Sequence, residues 1–278
     1  MSWTTLWLLR AALLLALFSF WSWLAADEEL AFFVGHPHAV LQQLWRWLST
    51  GNGSLELYWQ DHLLTTLNFP GTLYPHLLVT LTETLLAFLL GLTSGLALGL
   101  WLGLTPTLAR VLSPFIKAAN AVPRVVLAPL LVMWLGLGIA SKVALGITLV
   151  FFAVFFNVYQ GVREVSPALL ANVRLLGANR WQLIRIVYLP AALGWVFSSL
   201  NTVIGLAFVG VVVGEYLGST RGIGYLILQA EATFDVNTVL AGIIVLTCCA
   251  LLLDVLLARL ERRLSAWRQQ SDDEPRRW

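Results

Sequence analysis

Charge is what this chain has least of. Only 12% of its residues are Asp, Glu, Lys or Arg, where soluble domains carry about 25%. The 17 basic and 15 acidic residues leave a formal net charge of +2, too small to indicate a nucleic-acid partner. Cysteine is nearly absent. Cys248 and Cys249 are neighbours inside an apolar run, and adjacent cysteines with no metal spacing read as inert helix residues. The only histidines are His36, His38, His62 and His76. His36-Pro37-His38 has no third ligand placed by spacing, so it reads as loop polarity rather than a metal pair. A phosphate loop is missing too. Gly136 to Lys142 lacks the glycine directly before the lysine and the hydroxyl residue after it. The chain is therefore not expected to hydrolyse ATP itself.

What remains is apolar. Hydrophobic residues make up 59% of the chain, its mean hydropathy is +0.80, and its 13 tryptophans suit interfacial belts. This describes a polytopic membrane protein with one membrane domain and no separate soluble one. Residues 6–26 exceed the apolar core of a signal peptide, about 7–15 residues, and read as a first span. Further spans are expected near 73–104, 118–135, 142–160, 191–213 and 236–258, giving an all-α protein of six transmembrane helices. Residues 1–74 hold the first span and an outer amphipathic segment, in which Val40, Leu41, Leu44, Trp47 and Leu48 form a helical stripe. Residues 75–260 form the core and 261–278 a polar tail. Residues 105–117 read as a short positive loop and 214–235 as an outer loop with a half-buried helix.

Polar residues within the spans are the candidate pathway: Thr80, Glu83, Asn120, Arg124, Ser198 and Thr202. Glu83 is costly in lipid, so it either lines a pathway or is held by a neighbouring helix. Arg124 either snorkels to the interface or points into a pore. In a pathway Glu83 would favour a neutral or cationic solute, and Arg124 would argue the opposite. In the second span Gly91, Ser94 or Gly95, and Gly99 recur at helical spacing and allow close packing. Pro123 and Pro129 can kink the third span.

Residues 163–190, REVSPALLANVRLLGANRWQLIRIVYLP, are far more polar than the runs on either side. Ser166-Pro167 reads as an N-cap followed by proline at the first helical position. Leu169, Leu170, Val173 and Leu176 fall on one face, and Gly177 stands where a left-handed C-cap would sit. Asn179 can cap a second short helix bearing Trp181, Ile184 and Tyr188, which Leu189-Pro190 closes. The segment carries Arg163, Arg174, Arg180 and Arg185 against one carboxylate, Glu164. From the residues alone, it either lies on anionic lipid or offers a knob to a partner.

With six spans, the loops at 105–117 and 161–190 share a side with both termini. Arg110, Lys117, the four arginines of 163–190, and Arg259, Arg262, Arg263, Arg268, Arg276 and Arg277 fall there. The other side holds Arg46, Lys142 and Arg221. The positive-inside rule makes the first side cytoplasmic.

Three phrases carry a family resemblance. Leu176-Gly177-Ala178, Arg180-Trp181-Gln182 and Leu189-Pro190-Ala191 resemble the cytoplasmic EAA loop of ABC importer permeases. Its namesake Glu-Ala-Ala falls at Ala171, Asn172 and Val173, so the glutamate is absent. Pro123-Arg124, Pro129-Leu130, Trp134 to Gly138 and Ser141-Lys142 resemble the nitrate/sulfonate/taurine branch, as do Gly214-Glu215 and Arg221 to Tyr225. The resemblance covers roughly residues 35–265 and implies the architecture of a type I importer permease. It implies two permease copies around one pathway and an extracytoplasmic substrate-binding protein. ATPase subunits would carry ATP and magnesium, and this chain would bind no cofactor. It assigns docking on the ATPase to Pro167, Leu169, Leu170, Val173, Arg174, Leu176, Gly177, Ala178, Arg180 and Trp181. The location it implies is a bacterial inner membrane. The solute would be an oxyanion such as nitrate, a sulfonate, taurine or bicarbonate, or a vitamin-precursor heterocycle. A secondary transporter or channel without an ATPase is the alternative, and a membrane enzyme a third. The first usually shows repeated halves, of which none is visible, and the second needs a clustered polar site.

Overall fold

The structure is a computed structural model that describes residues 3–51, 53–59 and 62–264. Helices dominate: α1 (Trp3–Leu24), α2 (Glu28–Val34), α3 (Pro37–Ser49), α4 (Leu73–Leu104), α5 (Pro106–Ala121), α6 (Leu127–Leu135), α7 (Ile139–Arg163), α8 (Pro167–Leu175), α9 (Arg180–Leu183), α10 (Leu189–Ser198), α11 (Leu200–Leu217), α12 (Ile223–Ala232) and α13 (Val236–Leu264). Five are long and apolar enough to cross a membrane: α1, α4, α7, α11 and α13 up to Arg259. A sixth span results if α5 and the stretch Arg124–Leu135 count as one helix pair, bent by 72°.

The chain forms two compact units: Met1–Val79 with Arg221–Thr247, and Thr80–Thr220 with Cys248–Trp278. In the first, α3 buries Val40 and Trp47, while Leu41 and Leu48 of the expected stripe are exposed. The turn before α3 docks on the start of α13. Asn237 Oδ1 accepts the His36 backbone N–H at 2.7 Å, and a Cβ on Gly35 would lie 2.8 Å from the same oxygen. His76 Nδ1 accepts the Gly222 N–H at 3.1 Å, and its ring stacks on Tyr225.

Two segments differ from what the sequence suggests: strands occur in a protein expected to be all-α, and a helix stands where a loop is expected. Residues 53–69 form an antiparallel hairpin, β1 (Gly53–Trp59) with β2 (His62–Phe69), pairing Gly53 with Phe69 and Leu55 with Leu67. The physical reason is local: Ser-Leu-Glu-Leu-Tyr-Trp alternates with period 2, and Thr65-Thr66 favours strands. The positive loop expected at 105–117 is helix α5. Its apolar positions Leu108, Leu112 and Ile116 pack beside Ala109, Leu102 and Phe155, leaving Arg110 and Lys117 exposed. Helix spacing of the apolar residues, not the intervening charge, decides the structure there.

In the second unit α7 is the central helix. Gly91, Gly95, Gly99 and Gly103 of α4 face Val150, Val154, Val158 and Val162 of α7, one rung per helical turn. Added Cβ atoms at Gly95 and Gly99 would each lie 2.9 Å from the facing valine Cβ and 2.9 Å from a backbone oxygen, of Phe151 and Phe155 respectively. Without a hydrophobic force between helices in lipid, such close approach supplies the dispersion contact that holds them. Two expected single spans are broken. The third breaks at Val122-Pro123, because the residue before proline avoids the α region; Val122 sits at ψ 127°. Arg124–Leu135 alone would reach only roughly 18 Å, against about 30 Å of hydrocarbon. Pro129 lies in the first turn of α6, where its missing N–H costs nothing. The fifth breaks at Ser199, whose Oγ accepts from Asn157 Nδ2 at 2.8 Å.

Candidate functional site: an exposed elbow and a buried charge cluster

The polar segment forms as its local signals dictate. Ser166 Oγ accepts the Leu169 N–H at 3.2 Å, capping α8 with Pro167 at its start. The helix ends in a Schellman motif, in which Gly177 N–H donates to Arg174 O at 2.9 Å and Ala178 N–H to Val173 O at 3.3 Å. Gly177 has φ +83°, the left-handed conformation expected of it. Asn179 and Gln182 then cap each other reciprocally at 2.8 Å, opening α9.

The second helix does not close at Leu189-Pro190. It passes from α9 through a π-helical turn, Ile184–Tyr188, straight into α10. Pro190 lacks an N–H and its ring would collide with the carbonyl four residues earlier, and a widened turn relieves both. The elbow thus stands on a stem. A Cβ on Gly161 of α7 would lie 3.1 Å from Ala192 Cα and 2.8 Å from the Trp195 ring of α10. Leu183 and Val187 are buried at the top of that stem.

The tip is bare. Leu175, Leu176 and Trp181 are 86%, 87% and 70% exposed around Gly177, and Leu169 is also exposed. Leu170, Val173 and Ala178 are half-buried, while Pro167, Arg174, Arg180 and Arg185 are exposed. Leu175 lies off the stripe of Leu169, Leu170, Val173 and Leu176, and spacing identifies an apolar face without telling whether it looks inward or toward a partner.

The candidate pathway residues separate into two groups. Asn120, Ser198 and Thr202 are exposed. Ser198, Thr202, Gly205 and Val209 lie along one exposed side of α10 and α11, while Val203, Ala207 and Val211 are buried. Arg124 is half-buried; its guanidinium hydrogen-bonds Asn120 and lies 5.0 Å from the centre of the Phe152 ring. Thr80 and Glu83, by contrast, are 0% and 1% exposed and present no surface to a solute in this structure.

Glu83 is held by neighbouring helices. Around it lie Lys142 of α7 and Glu215 of α11, which are 2% and 0% exposed. This corrects the placement of Lys142 and Glu215 in outer loops: both are buried helix residues at the ends of apolar runs. Thr80 Oγ1 donates to Glu215 Oε1 at 2.6 Å, and Lys142 Nζ donates to Gly138 O at 2.7 Å and to Leu137 O. Small residues permit the meeting. Cβ atoms on Gly146, Gly210 and Gly214 would lie 2.6 Å from Ala87 Cβ, 2.8 Å from Gly146 Cα and 3.1 Å from Lys142 Cα.

Known proteins share this design. A family model described as "binding-protein-dependent transport system inner membrane component" matches residues 91–266. The riboflavin transport system permease protein RibX of Chloroflexus aurantiacus is 37% identical over 237 residues, 85% of this chain and 81% of its own. The taurine transport system permease protein TauC of Escherichia coli is 34% identical over 70% of this chain and 71% of its own. A chain of the MetNI methionine ABC transporter, in inward-facing conformations, superposes with a TM-score of 0.57 over 68% of this chain and 94% of its own; at 19% identity this is a likeness of fold. The chain belongs to the inner membrane components of binding-protein-dependent transport systems, as a multi-pass permease subunit of an ABC importer whose ATPase is a separate subunit.

Proposed function

We propose that two copies of this chain form the pathway for a small solute, and that the elbow at 167–188 is where an ATPase subunit docks. The observation that carries the reading is the bare tip, Leu175, Leu176 and Trp181 around a left-handed Gly177, mounted on the packed α7–α10 stem. An apolar tip ringed by Arg174, Arg180 and Arg185 suits a groove in a protein partner better than water. ATP and magnesium reside on that partner. Its closure pushes on the elbow, and the stem passes the motion to α7 and α10 as one body. The exposed side of α10 and α11, with Ser198, Thr202 and Gly205, faces the pathway or the second copy, together with Asn120 of α5. Both termini and the elbow lie in the cytoplasm, residues 75–260 form the transport core, and a soluble binding protein delivers the solute from outside.

The solute belongs to the chemistry that the relatives' names print: an organic sulfonate such as taurine, or a vitamin-related heterocycle such as riboflavin or formylaminopyrimidine. The burial of Glu83 removes its charge from the choice between them. The test is a mild-detergent pull-down from the native membrane, read by mass spectrometry. An ATPase subunit should accompany the wild-type chain and be lost when residues 167–188 are altered. A stable complex without an ATPase would refute the docking role.

A further inference from the structure

No Asp or Glu occurs between Glu83 and Glu164. The C-terminal end of α4, all of α5 and the body of α7 therefore pack together without a carboxylate. At this end they nevertheless carry Arg110, Lys117 and Arg163, all exposed. Glu164, the next acid in the chain, accepts a hydrogen bond from Gln160 Nε2 at 2.8 Å. An anion that pairs with these cations must come from outside the three helices.

A cleft of about 100 Å³ lies where the three meet. Leu102, Ile116, Phe155 and Phe156 make it apolar. Phe155 stacks on Phe151 and on Tyr159, with centroids 5.7 and 6.1 Å apart, so α7 presents a row of near-parallel rings. The polar lining is Ser113 and Lys117 of α5 and Tyr159 of α7. Arg163 Nη1 donates to the Tyr159 hydroxyl at 2.9 Å, and its guanidinium lies 5.6 Å from that ring's centre, which adds a second cation beside Tyr159. Pockets for whole small molecules measure about 300–1,000 Å³. This cleft instead fits a segment of a longer molecule, apolar along the rings and anionic at the lysine.

Helix α5 shows which molecule is at hand. Its apolar residues continue beyond the packed face: Val111 and Phe115 are 61% and 69% exposed, and Arg110 and Lys117 are exposed on the other flank. The helix is bent by 72° from the stretch that follows it. An apolar flank beside a basic one belongs to a helix at the boundary of membrane and water. In the proposed orientation that boundary is the cytoplasmic leaflet, which is rich in anionic lipid.

We propose that the cleft seats one anionic phospholipid, an acyl chain along the α7 rings and its phosphate between Lys117 and Arg163. The lipid supplies both the anion that these helices lack and the chain that the cleft fits. Tyr159, with an apolar ring and a polar tip, joins the two parts.

The test uses the whole importer complex in mild detergent, titrated with phosphatidylglycerol or phosphatidylcholine of identical chains and read by native mass spectrometry. Each basic residue at an anionic headgroup is worth about fivefold in affinity, so phosphatidylglycerol should be preferred by roughly 25-fold. K117Q should weaken phosphatidylglycerol by about fivefold and leave phosphatidylcholine unchanged. R110Q, an equally exposed change on α5 outside the cleft, should alter neither. Equal loss in R110Q, or no preference in the wild type, overturns the site. I116W fills the cleft and should weaken both lipids; undiminished binding overturns the seat of the chain. Phosphatidylglycerol with a photoreactive acyl chain should label α5 and α7. If the second copy or the ATPase covers the cleft, those helices stay unlabelled, and the proposal fails. Binding in detergent reads the site whichever side of the membrane it faces, so its failure is distinct from a wrong orientation.

Discussion

The α4–α7 ladder makes a quantitative prediction from one chemical change at two sites. Gly95→Ala places a methyl group 2.9 Å from Val154 Cβ and 2.9 Å from Phe151 O. Carbon contacts settle near 3.5–4.0 Å, so the shortfall is roughly 0.6 Å or more. Neither neighbour can yield easily: one is backbone, and the other is a β-branched carbon beside it. The helices must part, and the rungs at Gly91 and Gly99 open with them. A gap of about 0.5–1 Å forfeits a quarter to a half of each dispersion contact. Overpacking of this kind costs about 1–3 kcal/mol. Gly205→Ala adds the same methyl group on an exposed side of α11, where nothing lies within 4 Å. There alanine should stabilise by about 0.5–1 kcal/mol, because glycine loses more freedom in a helix. The two variants should thus move in opposite directions and differ by about 1.5–4 kcal/mol. The assay is unfolding of the detergent-solubilised chain by titrated denaturing detergent, followed by circular dichroism. Equal stability of the two variants would refute the close packing of α4 on α7.

The elbow yields further expectations. Gly177→Val has room for its side chain but must adopt φ +83°, at a cost of about 1–2 kcal/mol. It should insert normally yet hydrolyse ATP without transport in reconstituted vesicles, and Gly177→Asn should fall between it and the wild type. Trp181→Ala and Leu176→Ala remove exposed side chains, so stability should change by no more than about 0.5 kcal/mol. Recovery of the ATPase in a pull-down should nevertheless fall sharply; unchanged recovery would rule out docking through the tip. Asn179→Ala breaks the reciprocal cap of α9 and should lower stability by about 1 kcal/mol in the same unfolding assay.

Legibility in the sequence followed the range of the interactions. Ser166, Gly177 and Asn179 act within three or four residues, so their caps and turn could be read directly. The continuation through Pro190 could not, because proline is compatible with either a stop or a widened turn. Gly91, Gly95 and Gly99 announced close packing, but only the fold shows Val150, Val154 and Val158 as the opposite side. The buried cluster was the least legible part. Lys142 and Glu215 each lie at the edge of an apolar run, where a charge ordinarily marks a loop. Their approach to Glu83 depends on Gly146, Gly210 and Gly214, which hold no charge and sit far from Glu83 in sequence. In the hairpin at 53–69 and in α5, apolar periodicity is present but is interrupted by charges and turn residues.

The glycine–valine ladder has one property that its contacts alone conceal. Its rungs repeat every four residues on both helices, so sliding α4 along α7 by one rung, roughly 6 Å, would seat three glycines on valines again. The ladder fixes how near the two helices lie and leaves their register degenerate. Glu83 and Lys142 occur once each, one on either helix, and meet in only one register. The two buried polar residues near one end of the ladder thus act as its index mark, and the four-residue repeat can be used for adhesion without ambiguity of alignment.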